Sequence, residues 1–277
     1  MSEIWRCGRF ELALDEPLIM GIINVTPDSF SDGGERENPA DAVAWGEQLV
    51  AEGAHIIDIG GESTRPGSEA VPVPAEIARV RPVVTRLAES NMPISIDTRR
   101  PDVARACVEC GASIINDVSG MSDPAMLEVA AGCEAGVIVM HMLGEPKTMQ
   151  EAPVYDDVVT EVEGFLLGQV SVLEAAGIAS ERIAIDPGIG FGKTYEHNIS
   201  LLRAIPRLAS HGYPVVIGAS RKRFIGEITG EDAPRRRAGG SVAAAMEAVR
   251  LGAAVVRVHD VGATVQALAV ARAIQGR

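Results

Sequence analysis

Eight short apolar runs recur along the chain, and most end on a polar or charged side chain. They are LIMGIIN ending at Asn24, HIIDIGG with Asp58, PISIDT with Asp97, SIIND with Asn116, GVIVMHM with His141, IAIDPG with Asp186, PVVIGASRK leading to Ser220 and Lys222, and AVVRVHD with Arg257 and His259. A strand covered on both faces reads as a continuous apolar run and belongs to a parallel sheet. Helical stretches separate the runs. Eight strand–helix units predict an α/β fold, a single (β/α)8 TIM barrel, whose functional face lies at the C-terminal ends of the strands. The polar residues fall at those ends, so one pattern predicts both the fold and the place of the chemistry.

A barrel of this kind takes about 250 residues. Residues 1–277 are therefore read as one domain, with a short lead-in over 1–17. An internal echo supports the repeat: Gly53-Ala54, Gly111-Ala112 and Gly252-Ala253 each precede an apolar run, as glycine does where it ends a helix. Pro39, Pro74 and Pro124 stand at or near expected helix starts. The formal charge of -13 argues against a nucleic-acid or membrane partner. The N-terminus has no apolar core of signal-peptide length, and no run approaches a transmembrane span, so a cytoplasmic protein is expected. Cys107 and Cys110 form a lone C-x-x-C pair in a predicted helix and are read as small packing residues. Asn198-Ile199-Ser200 matches a glycosylation pattern without the secretion signal such a use requires.

Two long connections leave strand ends: TPDSFSDGGEREN after Asn24 and ESTRPGSEAVPVP after Asp58. Both are read as lids over the functional face. A third, GEPKTMQEAPVYDD, follows the fifth run. The segment DPGIGFGKT imitates a phosphate loop, but Pro187 stands where a Walker A motif needs glycine. Its glycines are read as a tight turn through which a ligand can approach the backbone. The carboxylates Asp58, Asp97 and Asp186 and the amides of Asn24 and Asn116 suit a flat heterocycle with donors and acceptors on one edge. Arg65, Arg221, Lys222, Arg257 and His259 suit a phosphate or diphosphate. Together they predict a polar heterocycle held deep, with a phosphorylated tail near the last strand.

The runs MGIINVTPDSFSDGG, IIDIGGESTRPG, SIDTRRPDVA, INDVSG, MHMLGEPKTMQ, IDPGIGFGKT, GASRKRFIG and VVRVHDV, in that order over residues 20–261, resemble the motifs of the dihydropteroate synthases. The resemblance implies a transferase of folate biosynthesis, a family inhibited by sulfonamides. It would join 6-hydroxymethyl-7,8-dihydropterin diphosphate to 4-aminobenzoate, releasing diphosphate. It also implies the roles that follow. Asp97, Asn116 and Asp186 hydrogen-bond the pterin, and Met140 packs on it. Lys222 contacts the pterin and borders the aminobenzoate pocket, which Phe30, Pro66, Phe191 and Ser220 line. The aminobenzoate carboxylate lies at the start of the helix after Ser220. Asn24, Arg257 and His259 bind the diphosphate, with Mg²⁺ bridging Asn24 and phosphate oxygens. Asp58 lies near the pterin and metal end, and Ser63, Thr64, Arg65 and Pro66 come from the second loop. The residues implied to be catalytic are Lys222, Arg257, Asp97 and Asp186. A dissociative reaction and a homodimer are the family expectation. Pterin-binding methyltransferase domains are similar, but they have no need of an aminobenzoate pocket, so SRK at 220–222 and STRPG at 63–67 favour the synthases.

Overall fold

Two short antiparallel strands open the chain, β1 (Ile4–Cys7) and β2 (Phe10–Ala13). Their alternation turns Trp5 and Cys7 inward, fully buried, and leaves Ile4 and Arg6 exposed. Eight parallel strands follow: β3 (Leu18–Asn24), β4 (Ile56–Gly60), β5 (Ile94–Asp97), β6 (Ile114–Asp117), β7 (Gly136–Met140), β8 (Ile183–Asp186), β9 (Val216–Ile217) and β10 (Val255–Val258). They pair in the order β8-β7-β6-β5-β4-β3-β10-β9, and a parallel bridge between Ile185 and Val215 joins the two ends into a closed ring. The computed structural model describes residues 4–26, 39–63, 71–144, 148–149 and 152–276.

The helices wrap this ring in chain order: α1 (Pro39–Ala51), α2 (Val73–Ala88), α3 (Pro101–Val108), α4 (Pro124–Ala131), α5 (Val158–Ala175), α6 (Tyr195–Arg203), α7 (Ile205–Ala209), α8 (Arg223–Thr229), α9 (Ala238–Arg250) and α10 (Val261–Gln275). Their starts follow local chemistry. Asp123 and Asp157 accept hydrogen bonds from the first free N–H groups of α4 and α5, and Thr194 with His197 forms a capping box on α6. Gly53, Gly111 and Gly252 take φ of +102°, +108° and +105°, so the echo in the sequence marks the same left-handed turn into three strands. Cys107 is buried, Cys110 is half-buried, and both are free thiols, as packing residues would be. Among the described residues no helix is long and apolar enough to cross a membrane.

Successive strand side chains point to opposite faces. One set, including Ile19, Ile23, Ile57, Ile96, Ile115, Val137, Val139, Ile185 and Val256, packs outward against the helices. The alternate set, Leu18, Met20, Ile56, Ile114, Ile138, Ala184, Val216 and Val255, fills the barrel interior with Trp5 and Cys7. The lead-in is therefore the floor of the barrel. Trp5 Nε1 donates to the carbonyl of Arg182 (3.0 Å), and the buried Arg182 guanidinium donates to the carbonyls of Ala130 (2.9 Å) and Ala135 (2.7 and 3.0 Å).

Truncating a fully buried aromatic removes its transfer energy and leaves a cavity. Trp5→Ala is expected to cost about 3–5 kcal/mol, read as a lower denaturant midpoint at unchanged slope. The KM values should stay put, because the floor lies at the opposite end from the polar ring.

Candidate active site

The inward set continues past the apolar layer. Two residues beyond Ile56, Ser95, Ile114, Ile138, Ala184 and Val255 stand Asp58, Asp97, Asn116, Met140, Asp186 and Arg257. Strand register places them side by side: Asp97 pairs with Asn116 and with Gly60, Gly60 with Asn24, and Met140 with Asp186. Asp58, Asn116 and Asp186 are buried, Asp97 and Arg257 half-buried.

Arg257 binds this ring together. Its Nε donates to Asp58 Oδ2 (2.6 Å) and its Nη2 to Asp97 Oδ2 (2.6 Å). Asn116 Nδ2 lies 3.4 and 3.5 Å from the two oxygens of Asp58. Burial opposes the guanidinium charge, but Asp58 and Asp97 outweigh it and hold the proton more tightly than usual. Nη1 of Arg257 makes no hydrogen bond among the described residues. The sequence pointed Arg257 at a diphosphate; the structure shows two of its nitrogens committed to carboxylates and one left over.

Burial pushes the carboxyl of Asp97 up to about 7, with Arg257 working against it and Asp58 with it. Burial likewise raises Asp186 to about 6, opposed by the hydrogen bond from Gly188 N (2.7 Å) and by the charges of Lys222, Arg257 and Lys193. Lys222, half-buried, has its Nζ 3.9 Å from the ring centre of Phe191, a cation–π contact. Burial and the neighbouring Arg257 lower its amine to about 8. Met140 and Phe191 share a small apolar cluster with Val118 and Met149. Ser220 Oγ accepts from His259 N (3.2 Å) and lies 3.0 Å from His259 Nδ1.

The segment that brings Ser220 and Lys222 to the ring is strained. Arg221 between them has φ +59°, which favours glycine. It is held there by Ser241 Oγ on its N–H (2.8 Å), by Arg237 Nη1 on its carbonyl (3.2 Å) and by an ion pair with Asp260 (2.6 Å). The sequence read Arg221 as a phosphate ligand; its guanidinium is engaged with Asp260 instead.

Other expectations change. His141 was taken as the polar end of its run, but Met140 faces the interior. His141 turns to the helix side, against Phe165 (5.0 Å between ring centres) and under Lys193 (Nζ to Nδ1, 3.0 Å). The glycines of DPGIGFGKT make room for the chain itself. A Cβ on Gly188 would fall 1.9 Å from the His141 carbonyl oxygen, and one on Gly190 2.9 Å from Lys222 Cδ. Asn198 is buried and structural, accepting from Gly190 N (2.7 Å) and donating to the carbonyl of Thr194 (2.7 Å). Lys193, which the sequence reading passed over, is buried beside the ring. Phe30, Thr64, Arg65 and Pro66 lie outside the described residues, as do residues 27–38 of the first predicted lid and 64–70 of the second; Glu62, at the start of the second, pairs with Arg99 and Arg100 (3.0 Å each).

Among the described residues no group of three or more His, Cys, Asp or Glu is arranged to hold a metal ion by itself. Mg²⁺ is commonly held by one or two protein oxygens and substrate phosphates. Asn24 fits that mode: its half-buried side chain ends β3 beside Gly60, and its amide makes no hydrogen bond among the described residues.

A family profile described as "Pterin binding enzyme" matches residues 20–259. A dihydropteroate synthase of Neisseria meningitidis serogroup C is 52% identical over 269 residues, covering 96% of this chain and 95% of the relative. The structure of Xanthomonas albilineans dihydropteroate synthase with 4-aminobenzoic acid is similar at TM-score 0.94, with 50% identity and all of both chains covered. That of the Burkholderia cenocepacia enzyme with 7,8-dihydropteroate is similar at TM-score 0.90, with 46% identity over 99% and 96% of the two chains.

The raised carboxyl of Asp186 has a stability consequence. The native state keeps a proton that the unfolded chain loses near pH 4, so this group's contribution is full below pH 4 and is lost as pH rises through about 6. Asp186→Asn, which keeps an acceptor for Gly188 N, is expected to flatten the fall in thermal stability between those values by an amount on the order of 2 kcal/mol. Melting curves of both proteins across that window check it.

Proposed function

Because the chain belongs to the pterin-binding enzymes, among their dihydropteroate synthases, we propose that the polar ring at the barrel mouth is where it joins its two substrates. The chain is a transferase of folate biosynthesis: it condenses 6-hydroxymethyl-7,8-dihydropterin diphosphate with 4-aminobenzoate to give 7,8-dihydropteroate and diphosphate. The observation that carries the placement is that Asp97 and Asn116 stand side by side on β5 and β6 and Asp186 ends β8, beside Arg257, whose Nη1 makes no hydrogen bond among the described residues.

A dihydropterin edge is rich in N–H groups, with a carbonyl among them. Asp97 and Asp186 accept from the N–H groups, and Asn116 supplies both a donor and an acceptor. Met140, backed by Val118 and Met149, covers one face of the ring. Arg257 holds the diphosphate by Nη1 while Nε and Nη2 stay on Asp58 and Asp97, and His259 adds a second contact. Mg²⁺ held by Asn24 and phosphate oxygens would neutralise charge on the leaving diphosphate.

As the C–O bond breaks, positive charge spreads from the exocyclic carbon into the pterin ring. Asp58, Asp97 and Asp186 stabilise it from fixed positions. The amine of 4-aminobenzoate is nucleophilic without a strong base. It reaches the carbon across a pocket bordered by Phe191, Lys222 and Ser220, with Phe30 and Pro66 assigned to it by the resemblance and Thr64 and Arg65 to the second loop. Water would capture the same cation, and covering the mouth excludes it.

Diphosphate release should require Mg²⁺ and 4-aminobenzoate together and yield dihydropteroate. Release of diphosphate at the same rate without 4-aminobenzoate would overturn the reading. The fourfold reduced-thiol inventory, Cys7, Cys107, Cys110 and Cys133, supports a cytoplasmic setting. A homodimer is the family expectation, and exposed Ile228 on α8 and Val270 and Ile274 on α10 are apolar side chains that such a contact would cover. Light scattering should give twice the chain mass, and Ile274→Lys should shift it toward the monomer.

A further inference from the structure

Lys193 is only 3% exposed, and every N–H of its ammonium is used. Nζ lies 3.0 Å from His141 Nδ1, 3.2 Å from the His141 carbonyl and 2.9 Å from the Phe191 carbonyl. Among the described residues no carboxylate pairs with it, although a buried cation is expensive to keep. Its countercharge is Asp186, acting through space; Gly188 stands between them, its N–H on Asp186 Oδ1 (2.7 Å) and its Cα side against Nζ. We propose that Lys193 is a positioning residue for the 4-aminobenzoate side of the site: a buried strut that ties the turn carrying Phe191 to the end of β7 and lends its charge to Asp186.

The inference rests on the functional reading above and adds to it a residue outside the substrate pockets. The turn of residues 187–192 wraps the ammonium so closely that a Cβ on Gly188 would lie 3.3 Å from Nζ. The same turn sets Lys222, through the Phe191 ring at 3.9 Å from Lys222 Nζ and through Gly190, which abuts the Lys222 stem. A shift of the turn therefore moves both walls of the aminobenzoate pocket and leaves Asp97 and Asn116 on their strands. Two neutral ties hold the turn as well: Tyr155 OH donates to the Gly192 carbonyl (2.8 Å), and Gly190 N donates to Asn198 Oδ1 (2.7 Å). They share the positioning task but bring no charge.

The groups around the pair are few. Lys193 faces His141 from just past β7, Asp186 from β8 and Lys222 from beyond β9, with Tyr155 ahead of α5 alongside His141. Asp186 faces Lys193, Lys222 and Arg257. Burial and the Lys193 charge push His141 down to about 3, so it is neutral and its Nδ1 accepts. Burial lowers Lys193 itself to about 7. Near pH 6 its charge favours the ionised form of Asp186; at pH 8 it acts through its hydrogen bonds alone.

Steady-state kinetics and binding of a dihydropterin analogue, each across pH, test both halves. Lys193→Met is expected to raise the KM for 4-aminobenzoate at least tenfold at pH 8 with analogue affinity within threefold of wild type. It should also move the acid limb of analogue binding to higher pH. Tyr155→Phe should raise KM less and leave the acid limb in place. An unchanged KM in Lys193→Met, an unmoved acid limb, or equal limb shifts in the two variants would overturn the proposal. Should Lys193→Met not fold, Lys193→Gln keeps a donor without the charge and reads the same limb; a wild-type limb there overturns the charge role. A wild-type protein that releases no diphosphate would sink the functional reading, while the analogue-binding limb still decides the link between Lys193 and Asp186.

Discussion

The two short ion pairs of Arg257 are what make the barrel mouth possible. Asp58, Asp97 and Asp186 stand on β4, β5 and β8 within one ring, two of them buried. Three carboxylates gathered in a poorly solvated throat would repel one another and take up protons. Arg257, reaching across from β10, sits on Asp58 and Asp97 together, and the charges of Lys222 and Lys193 act on Asp186. Three cations against three carboxylates keep the ring close to neutral, so the fold can hold it and still present charged acceptors. Removing one member of such a set leaves the others buried without a partner, which is the costly case.

The scaffold contributes by parity. Each barrel strand alternates between a residue packed under a helix and a residue in the interior, and the interior column is apolar at the floor and polar at the mouth. Trp5 and Cys7 finish the floor, so no polar group is needed there beyond the indole N–H. The strained Arg221 and the turn of residues 187–192 do in loops what parity does in strands: they fix where Ser220, Lys222 and Phe191 point. Both are held by hydrogen bonds to neighbouring segments and not by their own regular structure, so their geometry depends on Ser241, Arg237, His141 and Lys193.

Much of this was legible from the amino acids. Strand ends could be read because each apolar run stops at its first polar residue, which gave Asp58, Asp97, Asn116, Asp186 and Arg257. The reading slipped by one residue at GVIVMHM, because a run covered on both faces carries no alternation to fix its parity; Met140 faces in and His141 out. The floor hairpin had a signal that went unread, the alternation of Ile4, Trp5, Arg6 and Cys7 ahead of Gly8, which has φ +60°. Lys193 was hidden by its glycine-rich surroundings, which suggested a phosphate loop. The pairing of Arg257 with residues 199 and 160 positions away depends on ring closure, and no local pattern encodes it.

The ring of carboxyls also stores protons. With the carboxyls of Asp97 at about 7 and Asp186 at about 6, a fraction of the molecules near neutral pH carries hydrogen where a ligand's own N–H groups must dock. A donor-rich heterocycle can be accepted only by the ionised oxygens, so its arrival expels those protons into solution. Calorimetry of that step would therefore report heats that vary with the ionisation enthalpy of the buffer, and the slope of that variation would count the protons leaving the barrel mouth.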